Sequence, residues 1–170
     1  MARRIEVPGG IHHVTARGNL RRRLFYDERD YRFFLLKLGE AERRFGWERY
    51  ATCLMPNHSH LLVRTPEPNL GAGMLLLNGS YARYFNVRHQ TAGHVYEGPF
   101  RSKLVAEDEH LLETLRYIAL NPVRAGLVSD WTQWPWTLLS AERIDSLFGS
   151  ADEFAEFCNQ VAARDERRSA

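Results

Sequence analysis

Cysteine is nearly absent. Cys53 and Cys158 are the only two and share no CxxC spacing, which argues against a disulfide framework or a four-ligand structural zinc site; both read as reduced core thiols. No apolar run approaches the ~18 residues of a membrane span, and Met1-Ala2-Arg3-Arg4 leads into no apolar stretch. The expectation is therefore a cytoplasmic chain with no membrane segment and no secretory signal. Internal repeats and low-complexity segments are lacking too. Charge of one sign is not in excess: a net charge of +2 is too small for bulk electrostatics to announce a nucleic-acid partner. Lysine is scarce, however. Of 23 Lys and Arg residues only Lys37 and Lys103 are lysine. Arginine grips phosphate with a planar fork and stacks on bases, which lysine does less well.

What is present fits one folded domain. The chain has 170 residues, 44% hydrophobic and 26% charged, enough to bury a core. Residues 10–17 are β-prone and end at the turn signal Gly18-Asn19. Asp27 is a fitting N-cap for a helix carrying Tyr31, Phe34, Leu35, Leu38, Ala41 and Phe45 at helical spacing, with Gly46 as its stop. Residues 47–54 and 58–64 read as two strands joined by a tight turn at Met55-Pro56-Asn57. Asn69 is expected to cap a second helix running to about Arg88. Residues 100–106 form a fourth strand, and 107–121 a third helix that opens on Glu107, Asp108 and Glu109 and ends at Pro122. An aromatic loop with Trp131, Trp134 and Trp136 follows. A last helix opens on the capping box Ser150 and Glu153, and its tail from Arg164 is expected to fray.

The order β-α-β-β-α-β, followed by more helix, is the split βαβ pattern. The expected fold is α+β: a ferredoxin-like βαββαβ antiparallel sheet, with two crossover helices on one face and the other face open to a ligand or an added helix. Residues 1–140 form the main unit, and 141–170 a C-terminal helix and charged tail of the same domain. Fold alone does not give function.

The chemistry-bearing residues are few. His58 and His60 lie two apart on a strand, so both imidazoles project from one face while Ser59 points to the other. Two histidines make an incomplete site, suited to Mg²⁺ or Mn²⁺ that keeps waters and accepts substrate oxygens. Tyr117 lies beside the buried stripe Leu111, Leu115 and Ile118 of the third helix. Asn121 is one turn later and Glu113 one turn earlier; both are candidates for a third ligand. A phenol, with an ordinary pKa near 10, is a weak nucleophile at neutral pH, and a metal that polarises a phosphate makes its attack feasible. His13 falls on the strand expected beside the histidine pair and borders the site, with His12 on the opposite face. Arg17 ends the first strand and the run Arg21-Arg22-Arg23 sits in the loop after it; together they point to a phosphate backbone. Arg83, Arg101, Lys103 and Arg124 extend the candidate DNA track, and His89, His94 and His110 are expected at the surface. The rival readings are a non-catalytic ferredoxin-like DNA- or RNA-binding module and a metal hydrolase in which Tyr117 is structural.

Met55-Pro56-Asn57-His58-Ser59-His60-Leu61-Leu62 resembles the HUH signature of the single-tyrosine transposases, and within them the REP-associated tyrosine transposases, which act on bacterial repetitive extragenic palindromes. The resemblance continues in His13-Val14-Thr15-Ala16-Arg17-Gly18-Asn19, in Gly98-Pro99-Phe100-Arg101-Ser102, in Tyr117-Ile118-Ala119-Leu120-Asn121-Pro122-Val123-Arg124-Ala125-Gly126-Leu127 and in Trp134-Pro135-Trp136. It implies a catalytic helix laid on the open sheet face, and His58, His60 and Asn121 around Mg²⁺ or Mn²⁺. It also implies Tyr117 as the nucleophile that cuts single-stranded DNA, leaving a 5′-phosphotyrosine and a free 3′-OH. The DNA partner would be an imperfect hairpin, bound by a monomer or a homodimer. Ser59 stands where the family carries a bulky apolar residue, and Trp136-Thr137-Leu138 where it carries Trp-Ser-Ser.

Overall fold

The computed structural model describes residues 6–105 and 109–168, with side chains to residue 160. Its strands are β1 (Gly10–Arg17), β2 (Glu48–Met55), β3 (His58–Thr65), β4 (Arg101–Val105) and β5 (Thr137–Leu139); its helices are α1 (Glu28–Phe45), α2 (Leu70–Arg88), α3 (Glu109–Arg124), α4 (Ala141–Phe148) and α5 (Ala151–Arg168). The strands form one antiparallel sheet in the order β4-β1-β3-β2-β5. The first four have the ferredoxin-like arrangement expected from sequence, and β5 adds an edge.

Strand alternation divides the sheet into two cores. Val14, Ala16, Leu54, Leu61 and Val63 face α1 and α2, where they meet Phe34, Leu38, Leu77 and Tyr81. Ile11, Ala51, Cys53, Met55 and Leu62 face the other way and bury Leu111, Leu115, Ile118 and Ala119 of α3, with Ile144 of α4 and Phe154 and Cys158 of α5. The C-terminal helices thus share the core of the main unit. Both thiols are free and buried. Burial pushes Cys53 up to about 11 and Cys158 up to about 12, so neither is a nucleophile at neutral pH.

Local signals act as their chemistry dictates at most element ends. Asp27 accepts from the backbone N–H groups of Arg29 and Asp30, and Gly46 closes α1 at φ 68°. The Ser150 hydroxyl accepts from Glu153 N–H at 3.2 Å. Three boundaries differ from expectation, and a fourth lies partly outside the described residues. Asn69 makes no capping bond. Its side chain instead accepts from Trp47 Nε1 at 2.8 Å and donates to the Phe45 carbonyl, while Glu6 accepts from Gly71 N–H at the start of α2. Pro122 does not end α3: it lacks an N–H but its fixed φ suits a helix, and α3 runs to Arg124, closing at Gly126 with φ 67°. Glu107 and Asp108 lie outside the described residues, and α3 begins at Glu109. Finally, α5 continues past Arg164 to Arg168.

Candidate functional site

The open sheet face gathers the candidate residues. In the β1–β3 register Thr15 faces His60 and Arg17 faces His58, while His13 lies diagonally across from His60 on the same side. The β1–β4 register adds Arg101 opposite Thr15 and Lys103 opposite His13. Ser59 is buried on the α1/α2 side, paired with Ala16 and Leu54, as alternation requires. Above this face α3 delivers Tyr117, whose ring lies edge-on to His60 with centroids 5.8 Å apart and to His13 at 5.9 Å. Its neighbours Ile118 and Leu115 are fully buried, whereas Tyr117 is 43% exposed. The helix is anchored on one side and presents the phenol on the other.

Two clefts meet at Tyr117. One, of about 420 Å³, is lined by Thr15, Arg17, His58, His60, the segment Glu97-Gly98-Pro99, Arg101 and Tyr117. The other, of about 400 Å³, holds His13, Lys103, His110, Glu113 and Arg124 beside the same tyrosine. The Arg124 guanidinium sits over the Tyr117 ring, 5.3 Å from its centroid. Glu113 is paired with Arg116.

The histidines are held at one ring nitrogen each. His58 Nδ1 is 2.7 Å from Asn57 Oδ1, and His60 Nδ1 is 2.9 Å from His13 Nε2. His60 Nε2 is buried without a partner. Burial, reinforced by Arg17, drives His58 down to about 4. Burial, with added repulsion from His58, His13 and Arg17, drives His60 to about 2. Burial and the charge of Lys103 bring His13 to about 4. All three are therefore neutral imidazoles at pH 7, the form that ligates a metal. An orphaned imidazole nitrogen beside a second neutral imidazole fits a divalent cation. Among the described residues no group of three or more His, Cys, Asp or Glu side chains is placed to hold a metal ion; a cation held by the pair would take further donors, such as water and phosphate oxygens.

Not every expected residue lines the histidine cleft. Asn121 lies within α3, with its amide nitrogen donating to the Tyr117 carbonyl at 3.0 Å, and it is not among the residues lining the histidine cleft. That bond uses the amide nitrogen alone and leaves the Oδ1, the atom a third-ligand role would use, uncommitted. Arg83 is on α2, across the sheet, in a groove with Arg29, Phe33 and Lys37. His89 is not a free surface residue, since its Nε2 is 3.0 Å from the buried carboxylate of Asp30. Arg21, Arg22 and Arg23 are exposed in a loop that follows β1. The loop is tied to the turn before His58 by Asn57 Nδ2 donating to Arg21 O and by Gly18 N–H donating to Asn57 O. Trp136 stacks on Tyr31 with centroids 4.4 Å apart, Trp134 donates to the Leu54 carbonyl, and Trp131 packs edge-on to Phe154. The tryptophans are a lid on the core. Sequence reasoning passed over Asn57 as a mere turn residue and did not single out Thr15 or Glu97. Asn57 carried a readable signal, being the amide immediately before His58.

The family model described as transposase IS200 like matches residues 7–121. A Haemophilus influenzae protein named as a REP-associated tyrosine transposase is 29% identical over 104 residues, which cover 55% of this chain and 59% of that relative. The solved structure of a REP-associated tyrosine transposase bound to a REP hairpin has a TM-score of 0.68 at 20% identity, covering 81% of each chain. At that identity the likeness is one of fold.

Proposed function

The chain belongs to the family of IS200-like transposases, and from that premise we propose that it cleaves and rejoins single-stranded DNA through a covalent bond to Tyr117. The observation that carries this reading is the shared cleft: the exposed phenol of Tyr117 stands edge-on to His60, whose buried Nε2 lacks a partner, between Arg17 and Arg101. A hairpin of the repetitive-extragenic-palindrome type is the proposed substrate, since the structural neighbour is a protein bound to such a hairpin.

Mg²⁺ or Mn²⁺, held by His58 and His60, would polarise the scissile phosphate and offset the charge gained in the transition state. The protein's own part is orientation and charge. Arg17 and Arg101 line the cleft as guanidinium groups free to fork onto phosphate oxygens, Arg101 being only loosely engaged with Glu97 at 3.7 Å. The Tyr117 oxygen bonds to phosphorus and the bond from phosphorus to the 3′ oxygen breaks. The phenolic proton is lost to solvent, which Tyr117 meets, and the departing 3′ oxygen gains one. A 5′-phosphotyrosine and a free 3′-OH result. Attack by the 3′-OH of another strand reverses the exchange and restores the phenol. Lys103 and Arg124, in the cleft on the other side of Tyr117, are suited to hold the neighbouring phosphates.

Incubation with single-stranded hairpin DNA and Mg²⁺, followed by a denaturing gel, tests the proposal. Wild type should give a protein–DNA adduct. Tyr117→Phe, which removes one hydroxyl from a half-exposed ring, should bind the hairpin and give none. Adduct from Tyr117→Phe at the wild-type rate would move the nucleophile elsewhere.

A further inference from the structure

The two cleft histidines are not held by equivalent partners. Asn57 Oδ1 can only accept, so the 2.7 Å contact makes His58 Nδ1 the N–H donor and leaves a lone pair on its Nε2. The Asn57 amide is oriented by its other end, which donates to Arg21 O. His60 has no such unambiguous acceptor. Its Nδ1 meets another imidazole, His13 Nε2, at 2.9 Å, with ring centroids 5.2 Å apart and planes inclined by only 26°. One of those nitrogens carries the proton.

We propose that His13 is a positioning residue: it accepts the Nδ1–H of His60 and holds that ring in the tautomer whose Nε2 lone pair faces the cleft. The inference rests on the reading of His60 as a metal ligand. Three observations select this direction. In the opposite tautomer His60 Nε2 would carry a buried N–H with nothing to accept it, a costly arrangement. Arg17 lines the same cleft, and its charge favours a lone pair there over the positive end of an N–H dipole. His13 itself can carry its proton on Nδ1, because it is only partly buried and lines the second cleft, where water can meet that N–H. The geometry is set by the strands: with Thr15 opposite His60, His13 is the diagonal neighbour on the same face. Tyr117 packs edge-on to both rings, so ligand, positioning residue and nucleophile form one contact cluster. A hydrogen bond to the far nitrogen of a ligating histidine fixes its tautomer and aim.

Two variants separate this from a packing role: His13→Gln, whose side-chain oxygen can still accept, and His13→Phe, which keeps a ring without nitrogens. Nitrogen-15 NMR of metal-free protein reads the His60 tautomer directly. Wild type and His13→Gln should show Nδ1–H with an unprotonated Nε2, and His13→Phe a mixture. Mn²⁺ titration of DNA-free protein, followed by electron paramagnetic resonance, should give ~10–100-fold weaker binding for His13→Phe, with much of the loss restored in His13→Gln. A wild-type His60 protonated at Nε2, or Mn²⁺ bound equally by wild type and His13→Phe, overturns the inference alone. Failure of the wild type to bind Mn²⁺ overturns the metal reading and takes the inference with it.

Discussion

Three neutral histidines in contact carry a cost that pH exposes. Burial holds His13 and His58 to about 4 and His60 to about 2, against an ordinary 6.5. Above pH 6.5 the folded and unfolded chains are both unprotonated at these sites, and no linkage acts. Between 6.5 and about 4 the unfolded chain takes up protons that the folded chain refuses, so stability falls as pH falls. The slope is at most about 1.4 kcal/mol per pH unit for each histidine, and less for His13 and His58, whose partial exposure lets solvent screen them. Urea midpoints followed from above pH 6.5 down toward pH 4 should decline, and His60→Asn should flatten that decline. An equal decline in the variant would mean that acid sensitivity arises elsewhere. Folded wild type, by the same reasoning, should keep His58 and His60 unprotonated through mildly acidic pH.

At the scale of elements, the loop between β1 and α1 is the most distinctive. Leu20 and Arg21 hold φ of 53° and 59°, a conformation that non-glycine residues adopt at a cost. Gly18 admits no side chain, since a Cβ there would lie 2.2 Å from Arg22 O. The result is a tight turn that projects three arginines and an exposed Leu20 beside the β2–β3 turn. Backbone strain kept next to a cleft is consistent with a surface shaped for a ligand. Affinity for hairpin DNA should fall linearly with the logarithm of salt, because each neutralised phosphate releases counterions. Alanine at Arg21, Arg22 and Arg23 together should reduce the slope by roughly 1 for each arginine that touches a phosphate. A slope unchanged from wild type would put the loop in solvent.

Across the whole molecule, the four-strand order and the face carrying His58 and His60 were legible because strand alternation has a period of two and the turn and cap residues are explicit. His13 was placed beside the pair by the same periodicity. Its bond to His60 was not legible, because register is fixed by pairing between strands 47 residues apart. Pro122 misled, since one missing donor near a helix end is tolerated and α3 gains another turn. The short β5 and α4 were missed because neither is long enough to display a period. Arg83 belongs to α2, a crossover helix that the expected topology already puts on the covered face, so its place in the DNA track conflicts with that topology; its position beyond the sheet from Tyr117 leaves the Tyr117 face to Arg17, Arg101, Lys103, Arg124 and the arginine loop.

The central claim is that this face turns a tyrosine into the covalent carrier of a DNA strand, and the attachment point can be read directly. After reaction with hairpin DNA and Mg²⁺, nuclease and then trypsin digestion should leave a nucleotide on one peptide. Trypsin cuts after Arg116 and Arg124, so Tyr117 is the only tyrosine in the fragment between them. Mass spectrometry should find the nucleotide on Tyr117. A nucleotide on Tyr81, Tyr84 or Tyr96, or cleaved DNA with no peptide adduct at all, would contradict the account.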